Sequence, residues 1–412
     1  MERFIAKRLG GKENSAGIGT RPAVIIATAG VALGLFVMIV SVSVTTGFRH
    51  QIKEKVCGFT KDVRVTNYLT TAGESELPVS CTDVFLAELE ECAAIESACR
   101  YVEKAGIVST DNSFNGVIVK GVDGGYDFSF LEKCLVEGRV PICCDTVASG
   151  EILISEYLAK RLELGVGDNV SIYFMQNNVR LRRFSLVGIY RTGFSEYDRS
   201  YALTDLSTMQ RLNGWSSQES YGIEIEAADG CDSYSAYLEA RPLFDTLSRN
   251  SGEQYLMLTT EQLNAGLFAW LDLLNTNVAL ILVLMLGIAG FTIISGQLII
   301  IFERTRTIGV LKALGASNRM VRRIFLYVAA RIVLVGMIVG DAIGIGFALL
   351  QARFGLIPLN PEYYYVDSVP MELELWWLLL LNAVVFFLSM LMLLGPTSAV
   401  SRILPARSIR FD

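Results

Sequence analysis

Apolar positions along the chain fall into two patterns. In four stretches they run almost unbroken: residues 22–46 and 277–302 carry no charge, 324–350 carry one Arg and one Asp, and 374–395 are charged only at the edge. About 20 apolar residues cross the hydrocarbon core as a helix, so each stretch predicts a transmembrane helix. The apolar core of the first is too long for a removable signal peptide, and no small-residue cleavage site follows it. Elsewhere the pattern shortens. "VIVKGV", "EILIS", "NVSIYFM", "RRFSLVGIY" and "YGIEIEA" are β-branched runs bounded by Gly, Asp or Asn, and they predict strands. Between them, "SEYLAKRLELGVGD" predicts a Ser-capped helix stopped at a glycine, and "DSYSAYLEARPLFDTL" another, broken near Pro242. The predicted fold is therefore four transmembrane α-helices with a large α+β domain between helices 1 and 2.

Charge orients this arrangement. Residues 1–21 hold five Lys/Arg, 303–325 hold six and the tail after Gly395 three, whereas 351–373 hold only Arg353 beside Glu362, Asp367 and Glu372. Short loops rich in Lys/Arg stay cytoplasmic, so both termini and the 303–323 connection are read as inside. The resulting plan is a cytoplasmic amphipathic helix (1–21), span 22–46, an extracytoplasmic domain (47–276), span 277–302, a cytoplasmic helix and turn (303–323), span 324–350, a short outer loop (351–373), span 374–395 and a cytoplasmic tail (396–412). In the first segment Phe4, Ile5 and Leu9 alternate with Arg3, Lys7 and Arg8, as on a helix lying at the membrane surface.

A chain of 412 residues that is 52% hydrophobic and 19% charged is too apolar for an ordinary soluble protein. A net charge of −6 without a basic aromatic patch argues against nucleic acid as a partner. All eight cysteines (57, 81, 92, 99, 134, 143, 144, 231) fall in the outer segment, where disulfides persist, so a few structural disulfides among buried free thiols are expected. The sole histidine, His50, and scattered carboxylates predict no metal site and no catalytic constellation.

Leu263, Leu267, Trp270, Leu274 and Val278 recur at steps of three and four just before the second span. A continuous helix from about 260 to 302 would be ~65 Å long, roughly twice the hydrocarbon thickness. It is expected to project as a stalk, paired with the extension of the first span over 47–56. In the third span Arg331 lies where it can snorkel to the inner headgroups, while Asp341 lies past the midpoint. Gly336, Gly340 and Gly344 follow a small-xxx-small spacing suited to close helix packing.

Within 303–323, Ile308, Val310, Leu311 and Leu314 alternate with Arg304, Arg306 and Lys312; Gly315 suits a helix end and Ser317 the cap of the next helix. This predicts an elbow that sets apolar side chains in a partner's groove with cations at the rim. "ERTRTIGVLKALGASNRMVRRIF" (303–325) resembles the cytoplasmic loop of FtsX/MacB-type ABC transporter permeases. "TGFSEYDRSYALTDLSTMQRL" (192–212), "FGLIPLNPEYYYVDSVPMEL" (354–373), the tail "GPTSAVSRILPARSIRFD" and the opening "FIAKRL" narrow the resemblance to the lipoprotein-releasing (LolC/LolE-type) permeases.

The resemblance implies a coupling helix in which Glu303, Arg304, Arg306, Ile308, Leu311, Lys312, Leu314 and Gly315 dock on a nucleotide-binding subunit. It implies as partners an ABC ATPase dimer, a second permease copy or a sister permease, a periplasmic lipoprotein carrier, lipoprotein substrates and membrane lipids, in the bacterial inner membrane. "GGKEN" at 10–14 lacks the first glycine and the hydroxyl of a Walker A loop, so ATP and Mg are expected on the partner, with no cofactor and no catalysis in this chain. The alternatives are a MacB-like exporter, which usually carries a fused ATPase, and an FtsX-like signalling scaffold for wall hydrolases, whose outer insert is smaller.

Overall fold

The computed structural model describes residues 20–71, 77–110, 113–143, 148–175 and 179–399. The expected amphipathic helix at the amino terminus and most of the tail lie outside the described residues. The chain forms two compact units.

The helical unit comprises Met1–Arg49, Trp270–Pro358 and Ser368–Asp412. Among the described residues four helices are long and apolar enough to span a membrane: Thr20–Thr60, Ala265–Glu303, Asn318–Phe354 and the helix that starts at Leu375. At 1.5 Å per residue the first two are ~60 Å long, far beyond a hydrocarbon core of ~30 Å. Close approach of backbones explains the glycines. A Cβ on Gly336 would lie 2.8 Å from the Val31 Cβ, one on Gly340 2.8 Å from the Ala32 carbonyl oxygen, and one on Gly344 3.1 Å from Ile39. All three thus turn the third helix onto the first. A second small-residue seam, absent from the sequence reading, joins the first and second helices: Gly30 faces Thr292, Gly34 faces Ala289 and Gly296 faces Ala27. Asp341 accepts a hydrogen bond from Asn382 of the fourth helix at 2.9 Å, and Arg331 is exposed.

The second unit, a lobe of His50–Ala269 and Leu359–Asp367, is α+β. Its strands are β1 (Val63–Asn67), β2 (Val79–Ser80), β3 (Ile95–Ser109), β4 (Phe114–Val122), β5 (Leu135–Gly138), β6 (Glu151–Ser155), β7 (Asn169–Phe174), β8 (Arg180–Tyr190), β9 (Tyr201–Asp205), β10 (Glu219–Ser220), β11 (Gly222–Ala227) and β12 (Tyr255–Thr259). The main sheet runs β12-β1-β11-β3-β4-β9-β6-β8-β5, with β7 pairing β3 and β8. It is mixed: β4–β9 and β6–β8 are parallel and the remaining pairs antiparallel. One core packs around Ile152, Leu158, Phe174 and Leu186, and another around Val63, Leu89, Ile223 and Phe244.

Several expectations need correction. The helix capped by Ser155 ends at Glu163, which itself takes the left-handed conformation (φ 56°), not at a glycine. The helix Ser233–Ser251 runs through Pro242 instead of breaking there. Proline forfeits one hydrogen bond, but Ala236, Ala240 and Phe244 bury one face of this helix in the second core. Cys57, Cys81, Cys92, Cys99, Cys134 and Cys231 carry free thiols where disulfides were expected, and Cys144 lies outside the described residues. Cys81 and Cys99 act as small apolar core residues, with burial pushing their thiols up, Cys81 to about 12.

The stalk helix is also interrupted. Thr260–Leu263 forms a separate turn closed at Asn264 (φ −109°, ψ 40°), and the long helix starts at Ala265. Leu263 therefore lies off the long helix and is exposed. Leu267, Trp270 and Leu274 are half-buried, whereas Phe268 and Leu271 are buried. Trp270 packs edge-on against Phe48 of the first helix, with centroids 6.4 Å apart.

Candidate functional site

Two regions hold residues arranged for something beyond packing. The first is the elbow between the second and third long helices. Helix Thr305–Ala313 ends in a Schellman closure, in which the Ala316 N–H donates to the Leu311 carbonyl and the Gly315 N–H to the Lys312 carbonyl, each at 3.0 Å. Gly315 has φ +91°, and a Cβ there would meet nothing within 4 Å, so its role is conformational. Ser317 then caps the third helix by accepting from the Met320 N–H at 3.3 Å.

Burial sorts the residues predicted to couple. Ile308 is 0% exposed and packs with Ile300, Ile301, Val321 and Phe325, so it anchors the elbow to its own unit and offers no surface to a partner. Leu314 is 80% exposed, Leu311 is half-buried, and Val310, an apolar elbow position outside the coupling set that the resemblance implies, is 46% exposed. Glu303 and Arg306 are exposed, while Arg304 and Lys312 are half-buried. The open surface is thus Val310 and Leu314 beside Arg306. Among the described residues no group of His, Cys, Asp and Glu could hold a metal ion.

The second region lies inside the lobe, where the first long helix ends and the second begins. Strand β1 starts three residues after Thr60, and β12 ends immediately before Thr260; the two strands pair side by side. The Thr260 N–H donates to the Asp62 carbonyl at 2.8 Å, and its hydroxyl donates to the Lys61 carbonyl. Thr259 and Gln262 form a capping box over the turn that follows. Phe59 is fully buried, stacked on Tyr197 (4.8 Å, 1°) and flanked by Phe130, Tyr190 and Tyr201.

Under Phe59 lies a buried ion network. Lys120 (β4) donates to the Phe59 carbonyl and contacts Glu224 (β11) at 2.7 Å; Arg64 (β1) bridges Glu224 and Glu103, each at 2.7 Å. Lys120 and Glu224 are both 0% exposed. Burial pushes the Glu224 carboxyl up, but Lys120 and Arg64 outweigh it and hold the carboxyl below its ordinary value. Sequence reading missed this network, because its members are scattered over four strands and none carries a motif.

The MacB-like periplasmic core domain matches residues 24–240, more than half of the chain, and the FtsX-like permease C-terminal domain matches residues 279–405. The chain belongs to the FtsX/MacB-type permease family. Among its relatives are the lipoprotein-releasing system transmembrane protein LolC of Xylella fastidiosa (21% identical, covering 93% of this chain and 92% of the relative) and LolC of Neisseria meningitidis serogroup B (24%, 94% and 94%). The LolE protein of Haemophilus influenzae is 23% identical, with 92% of each chain covered. The chain is thus a multi-pass ABC-type permease with four membrane helices and a periplasmic-type lobe.

Proposed function

We propose that this permease extracts lipoproteins from the bacterial inner membrane and passes them to a soluble periplasmic carrier, driven by an ATPase dimer that binds ATP and Mg on separate polypeptides. In this reading both termini and the elbow are cytoplasmic and the lobe is periplasmic. The observation that carries the proposal is the elbow, a short helix closed at its C-terminal end, with Val310 and Leu314 exposed beside Arg306. Exposed apolar side chains on a cationic rim suit a groove on a partner, and the relatives' names supply the cargo.

Closure of the ATPase around ATP moves the elbow; the long helices relay the motion to their roots in the lobe. A lipoprotein entering from the outer leaflet, between the first and second helices of this chain and of a second copy or sister, is pushed up to the carrier. Depletion tests this directly. Lipoproteins should accumulate in the inner membrane, read by fractionation, and an ATPase should co-purify with the intact chain. Normal lipoprotein sorting after depletion would overturn the proposal, with chained cells pointing to a scaffold and drug sensitivity alone to an exporter.

A further inference from the structure

The segment Leu359–Asp367 joins the third and fourth membrane helices in sequence, yet it belongs to the lobe. It is seated there by particular contacts. The Tyr365 ring stacks on Phe194, with centroids 4.7 Å apart and planes at 24°, and Phe194 is buried. Lys55 donates to the Tyr365 carbonyl at 2.8 Å. Tyr365 holds φ +61°, a left-handed conformation uncommon in non-glycine residues. Val366 beside it is 1% exposed. The receiving turn is itself braced: Asp198 accepts from the Thr192 hydroxyl at 2.7 Å and from the Gly193 N–H at 3.1 Å. Gly193 holds φ +70°, a left-handed conformation that favours glycine, and a Cβ there would lie 3.2 Å from the Lys55 ammonium and 3.7 Å from the Asp367 carboxylate.

The neck of the segment is equally well fixed within the helical unit. Pro358 and Ser368 form a β-bridge, and the Val369 N–H donates to the Ile357 carbonyl at 3.1 Å. Gln351, in the last turn of the third helix and 1% exposed, donates to the Val369 carbonyl at 3.0 Å and accepts from the Ile357 N–H at 3.1 Å. A loop that only closed a helical hairpin needs neither a sealed neck nor an aromatic plug at its tip.

We propose that Leu359–Asp367 is a strap through which the third helix moves the lobe, a second transmission path beside the first and second helices, with Tyr365, Phe194 and Lys55 as its positioning residues. This rests on the coupling reading above. The elbow lies between the second and third helices, and the third runs unbroken from the Ser317 cap to Phe354, so displacement of the elbow reaches the neck directly. The strap also explains why "TGFSEYD" and "YYYVDS", two separate stretches singled out in the sequence, belong together: each supplies one half of the stack.

The test uses the full complex with its ATPase in lipid nanodiscs, with a donor dye at exposed Asp229 and acceptors in the lipid, so that energy transfer reports lobe-to-membrane distance. A slack variant carries a four-residue Gly-Ser insert on each side of the strap, between 358 and 359 and between 367 and 368, leaving the seated residues untouched. The nucleotide-dependent change in transfer should fall at least twofold in the slack variant and in Tyr365→Ala. It should persist in Tyr365→Phe, because the ring and the carbonyl remain, and ATP hydrolysis should stay within twofold of the unaltered complex throughout. An undiminished change in the slack variant overturns the strap alone. So does a slack lobe that unfolds several degrees lower, which would make the segment a stabilising clasp. An unaltered complex whose lobe ignores nucleotide overturns the coupling reading and the strap with it.

Discussion

The elbow and the lobe root treat the same residue types in opposite ways. At the elbow, Leu314 and Val310 face outward, Leu311 is half-buried and Ile308 turns in. At the root, Lys120, Glu224 and Phe59 are sealed from solvent, and every charge faces an opposite charge or a carbonyl. A surface that must meet another protein keeps apolar area open for burial on docking. In the coupling reading proposed above, the root passes displacement and has no freedom to spare; its polar groups are paired and its aromatic side chains interlocked. Substitutions should therefore separate the two: root variants act on stability, elbow variants on partnership.

The largest effect belongs to Lys120→Met. It leaves Glu224 buried with one cation instead of two and removes the donor to the Phe59 carbonyl, and breaking a buried pair from one side costs ~3–5 kcal/mol. Urea unfolding of the full chain in detergent should show this loss at pH 7. The carboxyl of Glu224 is depressed in the fold, so its stabilising contribution is complete above the unfolded value of 4.5 and declines as pH falls below it. The penalty of Lys120→Met should accordingly shrink as pH falls below 4.5. A penalty independent of pH would mean that Lys120 acts through packing and not through charge.

Next in size is Leu314→Asp. Burying a leucine side chain is worth ~1.5–3 kcal/mol, so losing it at a docked surface should weaken ATPase binding ~10–100-fold, read by titration of the purified subunits. Thermal unfolding of the permease should not move, because Leu314 is open to solvent. Ile308, on the helix that Leu314 closes, is the contrast: it is buried in the helical unit's core, so its role is to hold the elbow in place. If Leu314→Asp bound the ATPase normally, the open face would have to be sought elsewhere on the elbow.

How much of this was legible depends on range. The membrane helices are long apolar runs, broken in the third only by Arg331 and Asp341, and the elbow is punctuated by Gly315 and Ser317, so local chemistry alone located them. Strands β6, β7, β8 and β11 alternate or run apolar in the usual way and were equally plain. Strand β3 was not, because Arg100, Glu103 and Lys104 break its pattern. Those side chains are tolerated only because Asp83, Arg64 and Asn213 meet them from distant segments. The root was invisible for the same reason: Phe59, Lys120 and Glu224 are unremarkable singly and acquire a role only through pairing across the sheet. Of the stalk stripe only Leu263 falls off the long helix, because periodicity cannot foresee the break at Asn264.

The smallest predicted effect sharpens the comparison most, because it changes no contact. In Gly315→Ala the new methyl meets nothing within 4 Å, so the whole cost is that of holding an L-residue at φ +91°, ~1–2 kcal/mol. That energy is stored in the turn that sets the angle between elbow helix and third helix, and relaxing it tilts Leu314 and Val310 together. The helical unit should lose no more stability than that ~1–2 kcal/mol, since its buried Ile308–Phe325 contacts are untouched. ATPase binding should weaken by less than in Leu314→Asp, about tenfold at most, in the same titration. Loss of stability with binding intact would show that Gly315 serves the fold of the helical unit instead of aiming the elbow.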